Sequence, residues 1–295
     1  MSHKNKIPLP QQVYDTLRAK CAFGEKKHAA KAAGTAKDHI YSHNTLRTYT
    51  KHCVQFVRWV QAQERQHARI GHMPRTIEDC RPYAAKWIQS RIDAGYSPYT
   101  IKLQASALCK LYGQSAADLG LPSTPTRHRA DISRSRGTAV RDTDFSEKRN
   151  REIISFCKCT GLRRRELATI KGTDLCWGAN GTAYIHVTYG KGGRERDAII
   201  LDNDQAVIDR LQAAGDDLVW PKIPSHMDVH GYRADYATAL YHRVARDIDT
   251  IPPAEQYRCR GDRAGIVYDR VAMLYVSRAL GHNRISVIAG HYLHV

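Results

Sequence analysis

Apolar positions along this chain repeat with two periods, and the change of period divides it. From Ser42, the residues Leu46, Tyr49, Cys53, Phe56, Val57 and Val60 recur three or four apart, which lines one face of an α-helix. Ser42 or Asn44 stands where an N-cap belongs. Ile77, Tyr83, Ala84, Trp87, Ile88 and Ile92 mark a second helix, closed by Gly95. Ser97-Pro98 opens a third, lined by Ile101, Ala105, Leu108, Leu111 and Tyr112. Three or four short helices over 42–118 predict a small all-α domain. Ahead of it, 1–41 read as a basic N-terminal arm in which Ile7 to Cys21 allow one short helix. Such an arm is either a partly disordered tail or a segment lying on DNA or on a neighbouring subunit.

Residues 119–145 carry little apolar content, with Pro122 and Pro125 followed by Arg127, Arg129, Arg134, Arg136 and Arg141 among serine and threonine. They read as a basic linker. Beyond it, 146–295 predict a second domain, mainly α with a small antiparallel β-sheet. Ile153, Ile154 and Cys157 mark a helix stopped at Gly161, and another runs from Leu162 to about Lys171. Ala183 to Tyr189 alternate as a strand. Gly190-Lys191-Gly192-Gly193 turns the chain, and Arg194 to Leu201 return as the second strand of a hairpin. Helices follow at Asp204–Ala214, Val229–Arg246 and Ile266–Leu280, with a loop over 247–265 that contains Pro252-Pro253.

Charge changes this picture from fold to partner. The 295 residues carry a formal net charge of +17, a surplus that points to a polyanion, nucleic acid first. A membrane surface is second, but no apolar run approaches the ~20 residues of a spanning helix. The start of the chain leads into no apolar signal-peptide core, so the expected location is the cytoplasm. The eight cysteines are scattered and read as reduced core thiols rather than as a zinc site. On the helical domain Arg47, Lys51 and Lys102, and in the linker Arg127, Arg129, Arg134 and Arg136, are the candidate phosphate contacts. Solvated basic faces are the plainer alternative.

Five motifs carry candidate chemistry. Arg163 stands at a helix start with Glu166 one turn on, so the carboxylate can orient the guanidinium towards a phosphate. Taken alone, the motif reads better as a charged surface turn. Lys191 sits at a glycine-rich hairpin tip, where it either simply closes the turn or enters a site as a proton donor. The strand that follows excludes a P-loop. His230 and Arg233 share a helix face, and His282 follows Leu280-Gly281. Tyr292 lies near the end, between His291 and His294. The HxxH spacing of those histidines has no thiolate or carboxylate nearby to complete a zinc site. A tyrosine phenol keeps its proton to about pH 10, so Tyr292 is a nucleophile only where cations and hydrogen-bond donors stabilise the developing charge.

The ordered set Arg163, hairpin Lys191, His230-x-x-Arg233, Leu280-Gly281-His282 and near-terminal Tyr292 resembles the tyrosine recombinase (phage integrase) family. The resemblance covers 42–118 as an all-α SAM-like core-binding domain and 146–295 as the catalytic domain. It implies Arg163 and Arg233 as phosphate-binding arginines, Glu166 as their acidic helper and Lys191 as the general acid. It implies His230 and His282 as active-site histidines and Tyr292 as the nucleophile, with His230 the favoured acceptor of the tyrosine proton and the choice between acceptors left open. It further implies double-stranded DNA recombination sites as partners, a dimer on each site and a tetramer in the synapse, and no cofactor or metal. Tyr292 stands one residue further from His282 than the family's pattern, with His291 in the usual place. Tyr232 and Ala234 replace the Leu and His common around the second arginine. The chain also stops at Val295, short of the further helix by which many relatives dock into a neighbour. A type IB topoisomerase shares the same residue types, and a non-catalytic DNA-binding protein on the same fold is the reading from another class. The full set of catalytic residue types favours strand transfer.

Overall fold

In the computed structural model the chain divides into two compact units, within 1–131 and 132–295. The structure describes residues 7–25, 27–67, 73–128, 145–190, 195–282 and 284–293. Lys191, Arg129, Arg134, Arg136, Arg141 and His294 therefore lie outside the described residues.

The first unit is helical: α1 (Leu9–Ala19), α2 (Lys27–Ala32), α3 (His43–His67), α4 (Ile77–Cys80), α5 (Ala84–Asp93) and α6 (Pro98–Tyr112). Its core is the stripe the sequence predicts, with Cys53, Phe56, Val57 and Val60 of α3 buried against Trp87, Ile101 and Leu108. The Phe56 and Trp87 rings stand 5.3 Å apart. Each large apolar side chain fully withdrawn from water contributes roughly 1.5–3 kcal/mol. Ser42 Oγ accepts the Thr45 N–H at 3.1 Å and caps α3, and Ser97 caps α6 from the Thr100 N–H at 3.3 Å.

Two features of this unit differ from the sequence reading. α1, in the stretch read as an arm, buries Leu9, Val13 and Leu17 in the same core, and Ile40 joins them. The helix expected from Ile77 to Ile92 is broken by a 3₁₀ turn at Arg81–Tyr83, because Pro82 has no N–H to continue the ladder. Thr76 and Asp79 form a capping box that starts α4.

The second unit contains α7 (Arg151–Thr160), α8 (Arg164–Leu167), β1 (Leu175–Trp177), β2 (Ala183–Val187), β3 (Arg196–Ile199), α9 (Gln205–Ala214), α10 (Val229–Val244), β4 (Gln256–Arg258), β5 (Val267–Asp269), α11 (Arg270–Ala279) and α12 (Ile285–His291). β1, β2 and β3 form an antiparallel sheet in that order, with Val187 opposite Arg196. Ala183, Ile185 and Val187 alternate inward, as do Arg196, Ala198 and Ile200. The fold class is thus mainly α with small antiparallel sheets. α10 packs on α7 and runs between two apolar clusters, lending Val229 to one and Ala234, Tyr236, Ala237, Leu240 and Tyr241 to the other.

The helix expected up to Lys171 ends four residues earlier. Its chain turns out so that the Ile170 carbonyl accepts the Val219 N–H at 3.1 Å and Ile170 is buried. The helix expected from Ile266 begins at Arg270. Val267–Asp269 pair instead with β4, and the buried Asp269 carboxylate accepts the Val271 and Ala272 N–H groups to start α11. Among the described residues no helix is long and apolar enough to cross a membrane.

Candidate active site

Two glycines end helices where the site begins. Gly161 closes α7 at φ +59°, and a Cβ there would fall 2.3 Å from the Tyr236 ring. Only glycine takes that left-handed conformation without strain at so close an approach. The chain then turns Arg163, extended at φ −80° and ψ 156°, into the start of α8. Glu166 folds back on it: Oε2 accepts the Arg163 N–H at 2.8 Å, and Oε1 accepts Nη1 at 2.6 Å. The second, Gly281, closes α11 at φ +64°. His282 follows, its N–H bonded to the Ser277 carbonyl at 2.7 Å.

The Leu280 carbonyl ahead of that turn gathers the arginines. It accepts Arg163 Nη2 at 2.9 Å and also Arg233 Nη2. Arg233, on α10 and 1 % exposed, donates besides to the Gly161 carbonyl and, from Nε, to Tyr292 Oη at 3.5 Å. His282 Nε2 lies 3.2 Å from the same phenol oxygen. The His230 ring meets the Tyr292 ring edge-on, with centroids 5.3 Å apart. Arg163, Glu166, His230, Arg233, His282 and Tyr292 thus stand together, while Lys191 lies outside the described residues.

Tyr292 follows His282 by ten residues, just past the end of α12. The Tyr292 and Leu293 N–H groups both donate to the Ile288 carbonyl, at 3.0 Å each, so the last turn widens. Tyr292 and Leu293 are buried there and His291 is exposed. The backbone is held from two sides. Thr238 Oγ1 donates to the Tyr292 carbonyl at 3.3 Å, and Arg263 Nη1 donates to the carbonyls of Ala289 and Leu293.

Charge in the site is unbalanced. Glu166 is 2 % exposed. Burial alone pushes its carboxyl up, but Arg196 and Arg163 outweigh burial and hold it at about 2. Burial lowers the Arg233 guanidinium to about 10, with the neighbouring Arg196 and Arg163 charges adding to the effect. Arg233 therefore stays charged at neutral pH, and the contacts above give it carbonyls and a phenol. The arrangement can receive an anion and stabilise charge growing on it beside the Tyr292 oxygen.

Arg196 is a residue the sequence reading passed over. It opens β3 on the inward side, 8 % exposed, and its Nη2 donates to Glu166 Oε2 at 2.7 Å. An arginine at an inward position of an alternating strand was the available signal. Arg47, Lys51, Lys102 and Arg127 are all exposed, and Arg127 lies 4.9 Å over the Tyr99 ring. No group of three His, Cys, Asp or Glu among the described residues could hold a metal ion.

No protein-family model matches the chain, and no curated protein matches it in sequence. Solved structures do match. The Tn1549 transposon integrase in complex with circular intermediate DNA is 13 % identical, with 96 % of this chain and 95 % of that one covered and a TM-score of 0.43. XerA recombinase is 15 % identical over 97 % and 94 %, at 0.32. XerH site-specific recombinase bound to its difH substrate is 12 % identical over 98 % and 95 %, at 0.40. The chain is similar, over nearly its whole length, to a transposon integrase and to two recombinases.

Proposed function

We propose that this chain is a tyrosine recombinase that cuts and rejoins DNA through a covalent bond to Tyr292. The observation that carries the proposal is the buried Arg233, which shares the Leu280 carbonyl with Arg163 and reaches the Tyr292 oxygen. A nucleophile and an anion receptor therefore occupy one place. In this reading Tyr292 Oη bonds to the phosphorus of a DNA phosphodiester and the bond from phosphorus to the 5′-oxygen breaks. Arg163, Arg233 and the histidines hold the non-bridging oxygens as charge accumulates on them, a contribution of several kcal/mol, about 3–4 per well-placed donor. The phenol proton goes to His282, whose ring nitrogen is 3.2 Å away. Lys191 supplies a proton to the leaving 5′-oxygen. The phosphotyrosyl bond keeps the energy of the cut linkage, so a 5′-hydroxyl from another strand reverses the step.

The partners in this reading are double-stranded recombination sites, with two copies of the chain on each site and four in the synapse. The first unit supplies DNA contacts through Arg47, Lys51, Lys102 and Arg127.

A covalent trap tests the nucleophile. Nicked duplexes spanning the DNA on either side of the coding sequence are incubated with wild type and with Tyr292→Phe, then run on denaturing gels. Wild type is expected to give a protein–DNA band. Tyr292→Phe, which loses one oxygen and no positive charge, is expected to shift the same duplexes on native gels and give none. An adduct in Tyr292→Phe would sink the assignment, and so would wild type that binds every duplex and cuts none.

A further inference from the structure

Arg196 touches both segments on which the site depends. Its Nη2 donates to Glu166 Oε2 at 2.7 Å, and its Nη1 donates to the Ala279 carbonyl. Its Cδ passes 2.7 Å from the point where a Cβ on Gly281 would stand, so the turn carrying Leu280 and His282 is laid against its methylenes. Glu166 holds Arg163 by two hydrogen bonds. The Leu280 carbonyl holds Arg163 and Arg233 together. One side chain therefore braces the acid that aims the first arginine and the turn that presents the histidine. The strand does not require an arginine at that place. The inward neighbours Ala198 and Ile200 are apolar and buried, and an apolar residue would fill the position without the cost of burying a charge.

We infer that Arg196 is a positioning residue of the cleavage reaction, fixing the Glu166 carboxylate and the Leu280-Gly281-His282 turn in the one geometry that serves Tyr292. The inference rests on the recombinase reading. Arg196 acts through Glu166 and the turn rather than on the phosphate itself.

Its removal has a consequence that loss of packing alone does not. The charged groups facing Glu166 are Arg163 from the turn after α7 and Arg196 from β3, and Arg233 of α10 meets Arg163 at the Leu280 carbonyl. Arg196 and Arg163 together hold the buried carboxyl low against burial. Without Arg196, burial gains weight and Glu166 takes up its proton at a higher pH. A protonated Glu166 no longer pairs with Arg163, so the loss of cleavage due to Glu166, which in wild type lies near pH 2 and below the mildly acidic range, moves up towards that range. Lysine at the same position keeps a cation opposite Glu166 but carries its donors on a single nitrogen, without the planar fork that spans Glu166 and the Ala279 carbonyl.

The test is single-turnover cleavage of the trapping duplex by the full chain, from neutral to mildly acidic pH, with DNA binding followed by gel shift. Arg196→Ala is expected to bind as wild type does and to cleave roughly 10- to 100-fold more slowly, the scale on which misplaced catalytic groups lose rate. Its acid limb is expected at higher pH. Arg196→Lys is expected to return the limb to the wild-type position while keeping part of the rate loss. A wild-type rate and profile in Arg196→Ala would overturn the inference. So would a slow Arg196→Ala whose limb has not moved and which lysine does not mend, since that is loss of structure alone. If Arg196→Ala does not fold, Arg196→Lys decides, and a full wild-type rate there overturns the inference. Wild type that forms no adduct anywhere removes the recombinase reading, and this assignment with it. An adduct in wild type isolates the result to Arg196.

Discussion

Arg233 sets the character of the site at the scale of single residues. Two guanidiniums, those of Arg163 and Arg196, pair with one carboxylate, Glu166, and a third, that of Arg233, is left with carbonyls and a phenol. Burial with neutral partners costs a charged group several kcal/mol, about 3–5 where a partner has been removed. An arriving anion recovers part of that cost. Inorganic phosphate is therefore expected to raise the melting temperature above that in chloride at matched ionic strength. At ten times its Kd it adds about 1.4 kcal/mol. Tyr292→Phe should keep the shift, because it removes no cation. Arg163→Ala should lose it, because that guanidinium is the more open of the two on Leu280, with a side chain 20 % exposed. An equal shift in Arg163→Ala would place the phosphate elsewhere on this basic protein.

At the scale of elements, the question is what holds α12, the seven-residue helix before Tyr292. A helix that short has no stability of its own. Ile288 and Leu293 anchor it in the core. Arg263, at the end of a 3₁₀ turn over Gly261–Arg263, grips its C-terminal carbonyls and donates to the Tyr268 hydroxyl. A cation suits that end of a helix. Arg263→Ala is expected to free the end and slow cleavage about tenfold, as Tyr292 spends less time in line with its partners. The phosphate-induced melting shift should survive, since the anion receptor is untouched. Unchanged single-turnover cleavage would show that apolar packing alone positions Tyr292. The sequence made some of these elements legible and hid others for physical reasons. The α3 stripe, the cap at Ser42, the start of α6 at Ser97-Pro98 and the β2–β3 alternation were readable because each is local. β1 was not, because three residues with Trp177 half exposed carry no period. β4 and β5 were hidden likewise, since each exists only by pairing with the other. The site followed the same division. Arg163, Glu166, Arg233, His282 and Tyr292 stand in short motifs, whereas Arg196 and Arg263 reach the site through carbonyls, which leave no mark on sequence.

The net charge of +17 belongs to the whole molecule and governs a different quantity from the site. Cations that meet phosphates release condensed counterions, so affinity falls with salt at a slope of about 0.9 per phosphate neutralised. Arg47 and Lys51 are exposed one turn apart on α3, while Lys102 is exposed on α6 and Arg127 follows it in the chain. All lie in the first unit, away in sequence from the residues proposed to act in cleavage. If they contact phosphates, replacing Arg47 and Lys51 by alanine lowers the slope of log affinity against log salt by roughly two. The same change leaves the cleavage rate of bound complexes intact. Tyr292→Phe and Arg196→Ala do the reverse, stopping or slowing cleavage with the salt slope unchanged. Gel shifts across a salt series, read beside single-turnover rates, separate the two classes. An unaltered slope in the Arg47→Ala/Lys51→Ala double variant would mean that this face of α3 is solvated in the complex. The counterion release would then belong to other basic residues of the chain.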